Sequence, residues 1–189
     1  MEKLGDTPER QIMPQELFEH YVEGRKVAFA TGGEDVYRPD PKISGFKVFN
    51  WKNPRLPYHF EDHYTDSPKM PGIFAGFEIN RADSQEGKRL TFYIYSGDLT
   101  EDGLKLQEQT EKGLRSGEAV VYPRLMNFLD KYTEDVRFGK TVTHEFEDGL
   151  GKWIYEGKGR IEGHGWKDDE FISLNGVQMY KLRGTGQFY

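Results

Sequence analysis

The sequence predicts a single α+β domain over residues 1–189, with a curved antiparallel sheet and helices packed on one of its faces. Strand-like segments fill the second and fourth quarters of the chain, and two other segments repeat apolar residues at helical spacing. Aromatic residues make up 14% of the chain. Because each buried ring removes a large area from water, they can form a core although only 35% of the residues are hydrophobic. The aromatic content also disfavours a disordered chain.

Two helices and eight strands are predicted, one of the strands being a short one within residues 31–56. The first helix runs from Pro14 to Arg25, or on to Phe29, and the second from Pro123 to Tyr132, since apolar side chains recur at helical spacing in both. Residues 31–56 are interrupted by Gly and Pro and indicate a long connection with one short strand. The other strands are predicted at Tyr58–Tyr64, Ile73–Asn80, Arg89–Ser96, Val142–Glu147, Lys152–Ile161, Glu170–Leu174 and Val177–Leu182. Asn175-Gly176 predicts a type I′ turn between the last two, because that turn needs positive φ at both positions.

The order of elements also suggests an internal duplication of a helix-plus-three-strands unit. The first half covers residues 14–97, the second covers 120–186, and a polar connection covers 98–119. "FAGFE" at 74–78 and "WKDDE" at 166–170 share the spacing aromatic-x-small-x-Glu. In such a repeat Trp166 would correspond to Phe74, and Glu170 to Glu78.

Composition excludes several classes of function. A net charge of −6 disfavours nucleic-acid binding, which needs a basic surface. There is no cysteine, so disulfides, thiolate nucleophiles and cysteine metal sites are excluded. No apolar stretch is long enough to span a membrane and the first ten residues lack a signal-peptide pattern, so we expect a soluble, cytoplasmic protein. No phosphate loop or nucleophile elbow is present, and no cofactor is predicted.

A series of short motifs runs through residues 14–186. Aromatic-x-Asp-x-aromatic is formed by Phe60, Asp62 and Tyr64, and Phe-x-Gly-x-Glu by Phe74, Gly76 and Glu78. Further matches are Phe128-Leu129, Arg137-Phe138-Gly139, and the set Glu170, Ile172, Asn175, Gly176 and Tyr180. In this order the motifs resemble an uncharacterised prokaryotic domain family of unknown function, which occurs alone or after an Xre-type helix-turn-helix domain. The chain departs from that pattern at Asp168, where Gly is expected, and the resemblance implies no assigned activity.

The segment "YHFEDHY" (58–64) has two different faces if it is a strand, because alternate residues share a face. Its aromatic residues should face the core, which sends His59, Glu61 and His63 to solvent. Imidazole and carboxylate groups at this spacing could bind zinc or iron. An exposed strand face without metal is the favoured interpretation, since short motifs of this kind often occur by chance.

Asp62 is the most informative residue, because alternation places it on the aromatic face, where an isolated ionised carboxylate is costly. If Tyr64 pairs with Phe74, then Asp62 lies opposite Gly76 and diagonal to Glu78, and Gly76 leaves room beside it for a ligand. The predicted ligand-binding set is Asp62, Glu78, Phe60, Tyr64, Phe74, Gly76, Trp166 and Glu170. Two interpretations stay open: a pocket in which one acid has a raised pKa, or a structural ion pair with Arg81, Arg89 or Arg137.

The favoured function is a non-catalytic module that binds a small molecule or partner protein in an aromatic, carboxylate-lined concavity. An enzyme that uses Asp62 and Glu78 as an acid/base pair is the first alternative, and a protein-interaction domain is the second. Neither nucleic acid nor a membrane is an expected partner.

Overall fold

The computed structural model of the protein describes residues 13–30, 37–67 and 69–189, and it confirms the α+β fold class. The described residues form three α-helices: α1 (Gln15–Ala30), α2 (Glu101–Lys105) and α3 (Gly117–Lys131). The strands are β1 (Arg38–Pro39), β2 (Lys47–Lys52), β3 (Tyr58–Asp66), β4 (Ile73–Ala82), β5 (Arg89–Leu99), β6 (Glu108–Thr110), β7 (Gly113–Arg115), β8 (Val142–Asp148), β9 (Gly151–Glu162), β10 (Gly165–Leu174) and β11 (Val177–Phe188). No helix in these ranges is long and apolar enough to cross a membrane.

All strands but β6 and β7 form one antiparallel sheet, in the order β1-β2-β3-β4-β5-β11-β10-β9-β8. The sheet is open, since β1 pairs only with β2 and β8 only with β9. Both long helices pack on the same side of the sheet, which we call the inner face. Tyr21 of α1 contacts Phe60 on β3, and Phe128 of α3 contacts Tyr155 on β9. The helices and the inner face enclose the core, as predicted.

The order of elements is similar in the two halves of the sheet. Each half contains a long helix followed by four consecutive strands: α1 with β2–β5, and α3 with β8–β11. Strands β5 and β11 meet in the middle, where Tyr95 pairs with Gly184. On either side of that pair, Tyr93 lies opposite Gly186 and Gly97 opposite Leu182. If the chain is duplicated, the repeated unit therefore has four strands rather than the predicted three, because β2 and β8 add to the outer edges.

Several element boundaries differ from the prediction. Strand β11 continues to Phe188, past Gly184 and Gly186, which sequence patterns treat as the end of a strand. A Cβ at Gly184 would overlap the ring of Tyr93, and a Cβ at Gly186 would overlap the ring of Trp166. These glycines are therefore positions where large rings lie against the strand. The φ angles of 51° at Asn175 and 82° at Gly176 confirm the predicted turn.

The two predicted connections contain more structure than expected. Residues 31–36 lie outside the described residues, but 37–56 contain two strands, β1 and β2, rather than one. The polar segment 98–119 contains α2, the β6–β7 hairpin and the first turn of α3. Helix α3 begins at Gly117, well before Pro123. The apolar stripe begins before the proline, because Val120 and Val121 are also buried.

Candidate functional site

Four carboxylates lie buried on the inner face: Asp62, Glu78, Asp168 and Glu170. The relative exposure of each is 5% or less. Burial of an ionised carboxylate is costly unless it is paired or hydrogen-bonded. The partners of each acid therefore show which of them are structural and which face a space that a ligand could enter.

The pairing of β3 with β4 places Asp62 directly opposite Glu78. The predicted register, with Asp62 opposite Gly76, is wrong. Strand β3 continues to Asp66, which pairs with Phe74, so each residue of β3 meets a residue two positions further along β4 than expected. The two acids are therefore direct cross-strand neighbours instead of the predicted diagonal ones, and they lie close together as expected.

Glu78 is held by helix α1. Its Oε2 accepts hydrogen bonds from the Tyr21 hydroxyl at 2.5 Å and from Arg25 Nε at 2.8 Å. Arg25 is fully buried between the rings of Tyr21 and Phe138, with its guanidinium carbon 4.3 Å from both centroids. The arginine that binds Glu78 is thus Arg25, which is not among the three candidates Arg81, Arg89 and Arg137. Its position four residues after Tyr21, on the apolar side of α1, is the sequence signal that could have identified it.

Asp62 is held by hydroxyl groups instead of a cation. Its Oδ2 accepts a hydrogen bond from Tyr37 at 2.5 Å, and its Oδ1 accepts one from Tyr95 at 2.9 Å. Burial and the nearby Glu78 carboxylate raise the pKa of Asp62 from the usual 3.8 to about 7, although the two tyrosines oppose that rise. Alternation on β5 could have placed Tyr95 on this face, but no sequence signal indicates Tyr37, which lies in the long connection.

Glu170 forms a closed structural cluster in the second half. Arg137 donates to both of its carboxylate oxygens, with Nε and Nη2 each at 2.8 Å. The hydroxyls of Tyr155 and Tyr180 donate to the same carboxylate at 2.7 and 2.9 Å. Burial alone would raise the pKa of Glu170, but Arg137 and these hydroxyls hold it below its usual value. The carboxylate is therefore fully occupied by the protein.

Asp168 has fewer partners than Glu170. Its Oδ1 accepts a hydrogen bond from the backbone N–H of Gly139 at 2.9 Å, and its Oδ2 has no hydrogen-bond partner among the described residues. Burial raises its pKa to about 7. The buried hydroxyl of Tyr93 also lacks a partner there.

A cavity of about 410 Å³ opens between α3 and the strands of the first half, with Asp62 in its wall. Of the predicted site residues, Asp62, Tyr64 and Phe74 line it. The further lining residues that matter for its chemistry are Tyr37, Tyr95, Tyr122, Lys47, Glu118 and Arg137. We call this space the Asp62 cavity.

The other predicted site residues lie outside the Asp62 cavity. Phe60 packs under α1, where a Cβ at Gly24 would lie 2.7 Å from its Cγ atom. Trp166 stacks on Tyr93, with ring centroids 6.0 Å apart, and Glu78 and Glu170 face the arginines described above. The room beside Gly76 is not open to a ligand, because the Tyr95 hydroxyl and the His63 carbonyl oxygen fill it.

The opposite face of β3, on the outer side of the sheet, is buried as well, which corrects the expectation that it meets solvent. His59, Glu61 and His63 are each less than 9% exposed. His63 stacks on Phe77, and its Nδ1 lies 2.6 Å from Asp40 Oδ2 while its Nε2 lies 3.1 Å from Glu61 Oε2. Burial alone would lower the pKa of His63, but these two carboxylates raise it. No metal-binding group of three such side chains occurs among the residues the structure describes.

The fold and the cavity together define an α+β protein with an aromatic-walled, acid-bearing space between a helix and its sheet. Comparison of the chain with models of protein families, with curated proteins and with solved structures finds no match. The resemblance to the uncharacterised prokaryotic domain family therefore stays a prediction.

Proposed function

We propose that the protein is a non-catalytic module that binds a small molecule in the Asp62 cavity. The observation that carries this proposal is a buried, ionisable carboxylate in the wall of a largely apolar cavity of about 410 Å³. Ligand sites in proteins combine apolar and aromatic walls with a few oriented polar groups, and their volumes fall in this range. A carboxyl group with a perturbed pKa inside a cleft adds to the case for a functional site.

The partners of the two acids favour binding over catalysis. An acid/base pair needs both groups within reach of the same ligand. Asp62 lines the cavity, but Glu78 does not, and its Oε2 is occupied by Tyr21 and Arg25. We therefore place an enzyme that uses Asp62 and Glu78 second.

Blocking the entrance of the cavity tests the proposal. Ala119 lines the cavity and is exposed on α3, so Ala119→Trp should fill the entrance without disturbing the core. Asn127→Trp is the matched control, because Asn127 is exposed on the same helix and lies outside the cavity. Native mass spectrometry of the purified protein and a thermal-shift screen of small molecules should detect ligands for the wild type and the control, but not for Ala119→Trp. Equal binding by all three proteins would contradict the proposal.

A protein-interaction role is the second alternative, and one observation favours it. A hollow of about 370 Å³ on the outer face is lined by Phe46, Phe77 and Ile94, and Ile94 is 52% exposed. Exposed apolar side chains around a hollow are typical of interaction surfaces. If this face binds a second copy of the chain, Ile94→Asp should abolish self-association in analytical ultracentrifugation and leave binding in the Asp62 cavity unchanged.

A further inference from the structure

We infer that the ligand of the Asp62 cavity is an organic ammonium ion, that is, a protonated amine on a small apolar or aromatic body. This inference rests on the proposed function and adds the charge and the hydrogen-bonding character of the ligand. Three properties of the cavity point to it: its aromatic walls, the orientation of its hydroxyl groups, and the pairing of its charged side chains.

Aromatic rings surround the cavity. Phe74 is at the centre of the group, with its ring centroid 6.1 Å from those of Tyr64 and Tyr122 and 6.3 Å from that of Tyr95. Tyr37 extends the group, 6.0 Å from Tyr64. Ring faces carry negative electrostatic potential, and such clusters recognise ammonium groups in other proteins. The outer end of the cavity already has this contact, because Lys47 Nζ lies 5.7 Å from the centroid of the Tyr64 ring.

Three of the four tyrosine hydroxyls in the cavity wall are committed as donors. Tyr37 and Tyr95 donate their hydrogens to Asp62, and Tyr122 donates its hydrogen to the carbonyl oxygen of Gly72 at 2.9 Å. The oxygens of these three tyrosines therefore keep lone pairs and no hydrogen to offer. A ligand that donates hydrogen bonds therefore finds three acceptor oxygens here. The cationic donors in the wall, Lys47 and Arg137, already bind the carboxylates of Asp66 and Glu170. Among small organic groups, a protonated amine is the strongest donor of this kind.

The two cationic side chains of the cavity are paired with carboxylates, whereas its two acidic side chains, Asp62 and Glu118, form no ion pair with any described residue. Arg137 binds Glu170 through two hydrogen bonds, and Lys47 Nζ lies 3.4 Å from Asp66. No ion pair forms at Asp62 or at Glu118 within the described ranges; Glu118 accepts a backbone hydrogen bond from Gly72. An anionic ligand would have to compete with these carboxylates for the two cations. A cationic ligand supplies the charge that Asp62 lacks.

The affinity for such a ligand should depend on pH. Four ionisable groups act on Asp62: the Glu78 carboxylate on β4, the hydroxyls of Tyr37 and of Tyr95 on β5, and the Arg137 guanidinium from the segment after α3. Glu118 of α3 lines the same cavity. Burial and Glu78 raise the pKa of Asp62 to about 7, so close to 10% of the carboxyl is ionised at pH 6 and close to 90% at pH 8. Since only the ionised form attracts the cation, affinity should rise about ninefold over that interval.

Isothermal titration calorimetry with three probes of matched shape tests the inference on the wild-type protein. The probes are 2-phenylethylammonium, the neutral 2-phenylethanol, and the anionic 3-phenylpropanoate. We expect the cation to bind about tenfold more tightly than the alcohol at pH 8, with about half a proton released per bound cation at pH 7. Equal or tighter binding of the alcohol or the anion would overturn the inference and leave the proposed binding function standing. Absence of binding by all three probes would count against both.

Variants separate the roles of charge and ring. Asp62→Asn should weaken cation binding about tenfold at pH 8 and remove its pH dependence, while the affinity for the alcohol stays unchanged. Asp169→Asn is the control. The Asp169 side chain on β10 is 44% exposed, pairs with Arg183 and lies outside the cavity, so this substitution should change the affinity for neither the cation nor the alcohol. Tyr64→Leu should weaken binding of the cation more than binding of the alcohol. A pH dependence that persists in Asp62→Asn would contradict the assignment, and thermal unfolding of each variant establishes that it is folded.

Discussion

Replacement of Asp62 with asparagine should make the protein more stable than the wild type at pH 8 but not at pH 4. The folded state raises the pKa of this carboxyl from 3.8 to about 7, so between these values the folded protein holds a proton that the unfolded chain has lost. Stability therefore falls as the pH rises through this interval and levels off above it. Asparagine has no proton to lose, so the variant lacks this contribution.

The size of the effect follows from the pKa of Asp62. One pKa unit corresponds to about 1.4 kcal/mol, so ionisation of Asp62 inside the folded protein costs about 4 kcal/mol of stability by pH 8. Asparagine keeps one oxygen as an acceptor for Tyr37 or Tyr95 and loses the other, which adds a cost of about 1 kcal/mol at every pH. The variant should therefore be slightly less stable than the wild type at pH 4 and more stable by about 3 kcal/mol at pH 8.

Urea denaturation of both proteins at pH 4, 5, 6, 7 and 8 measures this difference. Groups such as Asp168, whose pKa is also raised to about 7, are common to both proteins and cancel when the two free energies of unfolding are subtracted. A difference that does not change with pH would refute the raised pKa of Asp62. A loss of about 3–5 kcal/mol at pH 7 would instead show that Asp62 is one partner of a buried ion pair.

Three further predictions concern the inner face. Glu170→Gln should lower the free energy of unfolding in urea by about 3–5 kcal/mol, because it removes the carboxylate that pairs with the buried guanidinium of Arg137. Tyr93→Phe should be neutral or stabilising by up to about 1 kcal/mol in the same assay, since the Tyr93 hydroxyl is buried without a partner in the described part of the chain. Tyr155→Phe should instead destabilise the protein by about 1–3 kcal/mol, because the Tyr155 hydroxyl donates a hydrogen bond to Glu170. Equal effects of the two substitutions would contradict this reasoning. Gly76→Ala should lower the thermal midpoint and cost about 3 kcal/mol, because the new methyl group would overlap the Tyr95 hydroxyl, and an unchanged midpoint would contradict that packing.

Alternation along the strands predicted which side faces the helices, and the structure places the whole predicted ligand-binding set on the inner face. Alternation suffices for this, since Phe60 and Tyr64 must be buried and Asp62 shares their side. The register was not predictable in the same way. A shift by two residues keeps all side chains on the same faces, so the pattern of aromatic residues cannot distinguish Gly76 from Glu78 as the partner of Asp62.

The arginines show a different limit. Arg25 and Arg137 are buried, although charged residues are normally at the surface. Arg25 follows Tyr21 by one helical turn, and a buried arginine could have been inferred from that spacing. Arg137 has a φ of 61° and lies between α3 and β8, where no periodic pattern applies. Its contact with Glu170 depends on how that segment folds back onto β10, which only the tertiary structure defines.

The burial of His59, Glu61 and His63 was missed for a related reason. Alternation shows that these residues lie opposite the core, but it does not show whether other parts of the chain cover that side. Here Asp40, from the connection that precedes β2, hydrogen-bonds to His63, and Phe77 stacks on its ring. Contacts from a loop with no regular pattern cannot be inferred from spacing alone.

The two halves of the sheet carry their second buried acid at different positions. Glu78 and Glu170 occupy equivalent positions on β4 and β10, and each binds a buried arginine. The strand next to Glu78 carries Asp62 opposite it, whereas the strand next to Glu170 carries Gly157 at the same position. On the inner face, each half therefore holds one buried arginine and two buried acids, with Asp168 as the second acid beside Glu170, and of these four acids it is Asp62 that lines the Asp62 cavity. Since an ionised carboxylate in such a place needs a positive partner, and the described residues form no ion pair with Asp62, we expect an external cation to bind in the Asp62 cavity.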